Sequence, residues 1–155
     1  MNTPMTDVLE LFIDKMSENA DLVKDVLELE PKELLLELKP KIRSALSKCM
    51  QLKLKADFNT FEFIKPDGTE MNDTEQEIVA LWLVYEWLLP QVNRDIDMQA
   101  ILTIKEFNTV SQPNLATTRK TLLNRCKVDA SNLETKYFHN KRANNSIEKF
   151  KGELP

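Results

Sequence analysis

The run IVALWLVYEWLL at positions 78–89 constrains this chain more than any other segment. It is apolar nearly all round a helix and holds both tryptophans, so it must be buried on most sides, in a core or in a contact between chains. A helix start precedes it, in Asn72-Asp73-Thr74-Glu75-Gln76-Glu77. Thr74 with Glu77 makes a capping box, Asn72 or Asp73 are alternative caps, and the acids complement the helix dipole. Pro90 should end or kink this helix. The run has 12 residues and contains Glu86. It falls short of the roughly 20 apolar residues needed to cross a bilayer, so no membrane partner is expected.

The flanking sequence also reads as helical. Only two glycines occur in 155 residues, whereas sheet-rich folds spend more on turns. Thr6-Asp7 can cap a first helix carrying Val8, Leu9, Leu11, Phe12, Ile13 and Met16. Asn19 is a cap for a second short helix with Leu22, Val23, Val26, Leu27 and Leu29. Pro31 suits the first turn of a third, where a missing N–H costs nothing. Pro40 should kink or split that helix near Leu38-Lys39. Phe58, Phe61 and Phe63 lead into Lys65-Pro66-Asp67-Gly68, a turn flanked by short strands or irregular chain. A short helix is expected over 94–107, then a loop over 109–113. The last helix should run from about Asn114 to about Asn140, with Leu115, Leu122, Cys126, Ala130, Leu133 and Tyr137 on one face. The polar remainder, NKRANNSIEKFKGELP, has two isolated apolar anchors, Ile147 and Phe150. The expected fold is therefore mainly α: a helical bundle with a buried central helix, a long C-terminal helix, a short irregular or β-turn insert and an extended C-terminal tail. Residues 1–140 form the helical domain and 141–155 a partner-binding tail that orders on a neighbour.

The net charge of −4 hides a split. From Ser111 onward there are nine basic and four acidic residues, a net of +5, which leaves −9 for residues 1–110. Opposite-signed halves suit head-to-tail self-association or a basic end meeting an acidic partner, and also an ordinary solvated surface. Cys49 and Cys126 each fall on an apolar helical stripe and read as buried, reduced thiols of a protein made in a reducing cytoplasm. The start, MNTPMTDVLEL, lacks the basic region of a secretory leader.

Chemistry-bearing patterns are sparse. His139 is the only histidine and has no Cys or second His at ligand spacing, so neither a metal nor a cofactor is expected. Two glycines cannot build a phosphate loop. Acidic pairs fall where capping and solubility place them. The chain is not expected to be an enzyme. Trp82 and Trp87 are five apart and point to different sides of their helix; with Tyr85 they are candidates for core packing or a subunit interface. Arg119, Lys120, Arg125 and Lys127 on the last helix are candidates for contact with nucleic acid phosphates.

In order of parts the chain resembles the small head–tail connectors, or adaptors, of tailed-bacteriophage necks. The acidic amphipathic start DVLELFIDKMSENADLVKDVLELEPKELLLELKPKIRSAL is similar to theirs. So is the capped, very apolar helix NDTEQEIVALWLVYEWLLPQVN, whose close Glu86-Trp87-Leu88-Leu89-Pro90 matches a Trp-x-x-Pro-like ending. Ser111-Gln112-Pro113-Asn114-Leu115 matches the segment that opens their long charged helix. Tyr137-Phe138-His139-Asn140 and Asn144-Asn145-Ser146 fit the polar tail. The chain departs from the pattern at 58–69. The resemblance implies a virion protein of the neck whose copies form a ring beneath the portal, extend the DNA channel and offer a docking surface to the next neck or tail-completion protein. It also implies that the C-terminal segment reaches the portal protein, through Ile147, Phe150, Tyr137 and Phe138, and that basic residues touch packaged DNA without reading its sequence. The alternative is a nucleic-acid-associated regulatory or scaffolding protein that uses the basic C-terminal helix.

Overall fold

In a computed structural model, residues 1–17, 28–104 and 113–153 are described, with side-chain surroundings given except at 99–104, 113–115 and 153. The described residues form β1 (Thr3–Pro4), α1 (Met5–Ser17), α2 (Pro31–Glu37), α3 (Lys39–Lys48), a single 3-10 turn (Met50–Leu52), β2 (Lys55–Asp57), β3 (Glu62–Ile64), α4 (Asp73–Ile104) and α5 (Pro113–Glu153). The protein is a mainly α-helical bundle with a long C-terminal helix and a small sheet insert. The helix expected after Asn19 lies outside the described residues up to Leu27, and Leu29, read as its last apolar residue, is in a bend ahead of α2.

The apolar run at 78–89 is the middle of α4, and α1, α3 and α5 all pack against this helix. Ile78, Val79, Ala80, Leu83, Val84 and Leu88 are buried. Around them close Met5, Phe12 and Met16 from α1, Ile42 and Ala45 from α3, and Leu122, Cys126 and Ala130 from α5. Only a helix apolar on nearly every side can be enclosed in this way without burying unpaired polar groups.

The prolines at the front act as their spacing implies. Pro31 opens α2 behind an extended Glu30, and Leu38 serves as the C-cap of α2 and the N-cap of α3, so the helical path divides one residue before Lys39. Pro40 causes the division, because its nitrogen has no proton to give to Leu36 and its ring crowds that carbonyl.

The insert is a three-stranded antiparallel sheet in the order β1-β3-β2. Phe63 sits in the central strand and is buried. The two-residue β1 has no local sequence signal. Thr3 is buried and its Oγ1 accepts from the Met71 amide at 2.7 Å, while the Met5 amide donates to the Phe61 carbonyl at 2.8 Å. These bonds start α1 at Met5, ahead of the expected Thr6-Asp7 cap. In the Pro66-Asp67-Gly68 turn, Asp67 Oδ1 accepts from the Thr69 amide at 3.0 Å and Gly68 takes φ +74°. A side chain at Gly68 would be strained by that backbone angle although the space around it is open.

Three features differ from expectation. The box at the start of α4 is Asn72/Glu75, not Thr74/Glu77: Asn72 Oδ1 accepts from the Glu75 amide at 2.9 Å and Glu75 Oε1 from the Asn72 amide at 3.4 Å. Glu77 is instead paired with Lys15 of α1. Asn72→Ala is expected to lower stability by about 1 kcal/mol in a urea melt, the usual value of an N-cap. Secondly, Pro90 does not end the helix, and the segment read as a separate helix over 94–107 continues α4 as far as Ile104. Val92 is buried and Asp95 is bonded to Arg119, so packing on α5 holds both sides of the proline in one path. Thirdly, the polar segment read as an extended tail is helical, and α5 runs on to Glu153. Elongating a helix that is already packed has no nucleation cost, which lets a low-propensity polar stretch follow it.

Candidate interaction surfaces

The candidate surface residues lie on α4 and α5, which run antiparallel. Asn72 lies beside Tyr137, Trp82 beside Glu134 and Asp95 beside Arg119. Past Tyr137, α5 has no α4 left to lean on, because α4 begins at Asp73.

Trp82 is buried, its indole Nε1 donates to Glu134 Oε2 at 3.4 Å, and its ring meets Tyr85 edge-on at 5.5 Å. Burial lifts the Glu134 carboxyl above its usual range, against the opposing bond from Trp82. Trp87 is half-buried and stands edge-on to Phe12, 6.4 Å between centroids. Tyr85 is half-buried beneath the ammonium of Lys48 at 5.7 Å. All three aromatics therefore have packing partners inside the chain.

Tyr137 and Phe138 are the last anchors of α5 on the body. They meet edge-on at 5.2 Å, both half-buried, and the Tyr137 hydroxyl accepts from Asn72 Nδ2 at 3.4 Å. Every residue from 139 to 152 is exposed. That stretch includes His139, and it leaves Ile147 53% and Phe150 64% exposed. With Ala143 these two fall on one side of the helix at spacings of four and three. Water thus meets an apolar strip on a helix end whose residues are all exposed, with Lys141 over the Tyr137 ring at 5.9 Å at its base.

The basic candidates separate. Arg119 is bonded to both carboxylate oxygens of Asp95, at 3.1 and 3.3 Å, and is engaged within the chain. Lys120, Arg125 and Lys127 are exposed, and Arg125 has an interaction of its own. Arg125 borders an open groove of about 630 Å³ between α1, α4 and α5, floored by Leu81, Leu122, Cys126 and Leu133. Burial pushes the Cys126 thiol up to about 11. Burial, with the charge of Glu134 behind it, pushes the Cys49 thiol up to about 12. Both cysteines are free, buried and protonated near neutral pH, as the apolar stripes imply.

Among the described residues no group of three or more His, Cys, Asp or Glu is placed to hold a metal, and no helix is long and apolar enough to cross a membrane. Sequence reasoning missed one surface. Asp7, Glu10 and Asp14 line the exposed side of α1, a run visible in their three- and four-residue spacing. No family model, curated protein or solved structure matches the chain.

Proposed function

We propose that this protein is a structural subunit of a tailed-phage neck, forming a ring between portal and tail that extends the DNA channel and presents the tail-docking surface. The observation that carries the proposal is the unpacked end of α5, where Ile147 and Phe150 stand in water on an otherwise polar helix. A helix without tertiary contacts is marginal in water, and exposed apolar side chains on it gain most from a partner. The order of segments, which resembles that of connector proteins, supports the portal as that partner. In this role the chain acts by shape and assembly order. Copies repeat one heterologous contact until the ring closes, and the closed ring retains packaged DNA and admits the tail.

The test is the mass of the protein alone and mixed with its candidate portal, by light scattering. A ring-sized particle, or a complex with the portal, is the expected result. A species that stays monomeric and ignores the portal would remove the proposal, and steeply salt-dependent binding to random DNA by a monomer or dimer would favour the regulatory alternative. Deleting residues 141–155 should abolish portal binding while changing unfolding stability by no more than about 0.5 kcal/mol, as for other surface changes. A large fall in the melting temperature would show that the segment belongs to the folded body.

A further inference from the structure

We infer that the outward basic face of the α5 end seats on the acidic outer face of α1 in a second copy of this chain. This rests on the ring reading above and names the two surfaces that would repeat. On α1, Met5, Val8, Leu9, Phe12 and Met16 face the core, while Asp7, Glu10 and Asp14 share the opposite side and are exposed. None of the three has an ion-pair partner among the described residues. Three like charges on one face are each unfavourable to the others, and an outside cation relieves that repulsion.

On α5, Arg142 and Lys149 are seven residues apart, so they lie nearly in line on the side turned away from α4. Lys120 and Lys127, also seven apart, lie toward the N-terminal end of the helix at a bearing about 40° away, where Lys120 borders a groove against α4. All four are exposed, and none has an ion-pair partner among the described residues. The seven-residue step of Arg142 to Lys149 equals that of Asp7 to Asp14, about 10 Å along either helix. Two helices laid side by side can therefore pair both charges at once. Arg142 and Lys149 lie on the exposed end of α5, where a neighbouring α1 can reach them. The contact would form in trans, because within the chain none of these residues is ion-paired among the described residues. The Ala143, Ile147 and Phe150 strip is turned about 120° from this basic line, which leaves it free for a different neighbour.

The test uses the full chain in sedimentation velocity, with two charge-reversed variants. One carries Arg142→Glu and Lys149→Glu. The other carries Glu10→Lys and Asp14→Lys, and keeps Asp7 in place to complement the start of α1. All four positions are exposed, and unchanged circular dichroism and melting temperature will identify folded variants. Each variant alone should self-associate about tenfold more weakly than the parent, or worse, since several close charge pairs become repulsive. An equimolar mixture of the two should recover most of the parental association, because the reversed charges at 142 and 149 again meet opposite charges at 10 and 14, with only Asp7 left opposite a like charge. A chain with all four changes should recover it too. The inference is overturned if the reversals leave association unchanged, if neither the mixture nor the fourfold variant recovers it, or if the parent chain does not self-associate. It is also overturned if Arg142→Glu with Lys149→Glu abolishes binding to random duplex DNA and leaves association intact, which would make the basic line a nucleic-acid surface. A parent chain that fails to self-associate yet still binds the portal through its C-terminal helix would sink this inference and leave the neck reading standing.

Discussion

Phe12→Ala should destabilise the protein by about 3–5 kcal/mol, the range for removing a large aromatic from a packed core. Phe12 has no exposed surface and lies where α1 crosses α4, with the edge of Trp87 against it. Removing the ring loses its transfer free energy, and the space left behind has poor means of closing. α1 is tied at its start by the Met5–Phe61 hydrogen bond and near its end by the Lys15–Glu77 ion pair. Trp87→Ala should cost less, because Trp87 is only half-buried and part of its surface is already in water. Phe150→Ala, on the unpacked helix end, should fall within about 0.5 kcal/mol of the parent. Urea midpoints at constant slope will rank the three, and the order Phe12, Trp87, Phe150 is the expected outcome. A Phe12→Ala midpoint equal to the parent's would mean that α1 does not close this core.

Lys65→Met should cost about 3 kcal/mol, the lower end of the range for breaking a buried ion pair. The Glu75 side chain is 2% exposed, and Lys65 Nζ, on a side chain 13% exposed, approaches its Oε1 at 3.0 Å. Without Lys65 the carboxylate keeps the long cap bond from the Asn72 amide at 3.4 Å and a hydrogen bond with Tyr137, too little to offset lost hydration. Adding Glu75→Gln to Lys65→Met should restore much of the loss, since what is costly is a buried charge with no partner. The pair also fixes an alkaline limit. Burial pulls the Lys65 ammonium down, but the hydrogen bond and charge of Glu75, with Asp67 and Tyr137 behind them, outweigh it and hold Lys65 above the ordinary lysine value of 10.5. A raised pKa contributes stability that is complete below the unfolded value and is lost as pH climbs through the folded one. Stability should therefore fall above pH 10.5 in the parent and show less of that fall in Lys65→Met, measured by urea midpoints across the alkaline range.

Where local chemistry decided the backbone, the sequence was readable. Pro31 and Pro40 set the start of α2 and its division from α3. Pro66-Asp67-Gly68 made its turn, and the central apolar run became the buried helix. Long-range partners defeated the local rules elsewhere. Pro90 reads as an end or a kink, and packing on α5 carries α4 on past it. Thr74/Glu77 is a sound capping box, but Lys15 takes Glu77, and Lys65 holds Glu75 where Asn72 can cap. The strand Thr3–Pro4 is defined only by its pairing with Phe63 and Glu62, sixty residues away. The polar run after Asn140 has only the sparse spacing of Ala143, Ile147 and Phe150 to suggest a helix, and its helicity is inherited from the packed turns before it.

Of the candidate surfaces, Ile147 and Phe150 were visible as isolated apolar residues in polar sequence, and both are exposed. The link from Trp82 to Glu134 was not, since nothing near either residue marks a partner so far along the chain. Arg119 looked like one more outward cation, and only the antiparallel register of α4 and α5 brings Asp95 to it.

The unbroken backbone of α5 has a bearing on how its tip could vary. A stiff rod transmits phase: one residue added between Phe138 and Ile147 would advance the tip by about 1.5 Å and swing it by about 100°. In the proposed assembly, the apolar strip and the basic line would then each face away from their neighbours. Length changes at this point are tolerable only in steps of three, four or seven residues, which return the tip nearly to its original bearing.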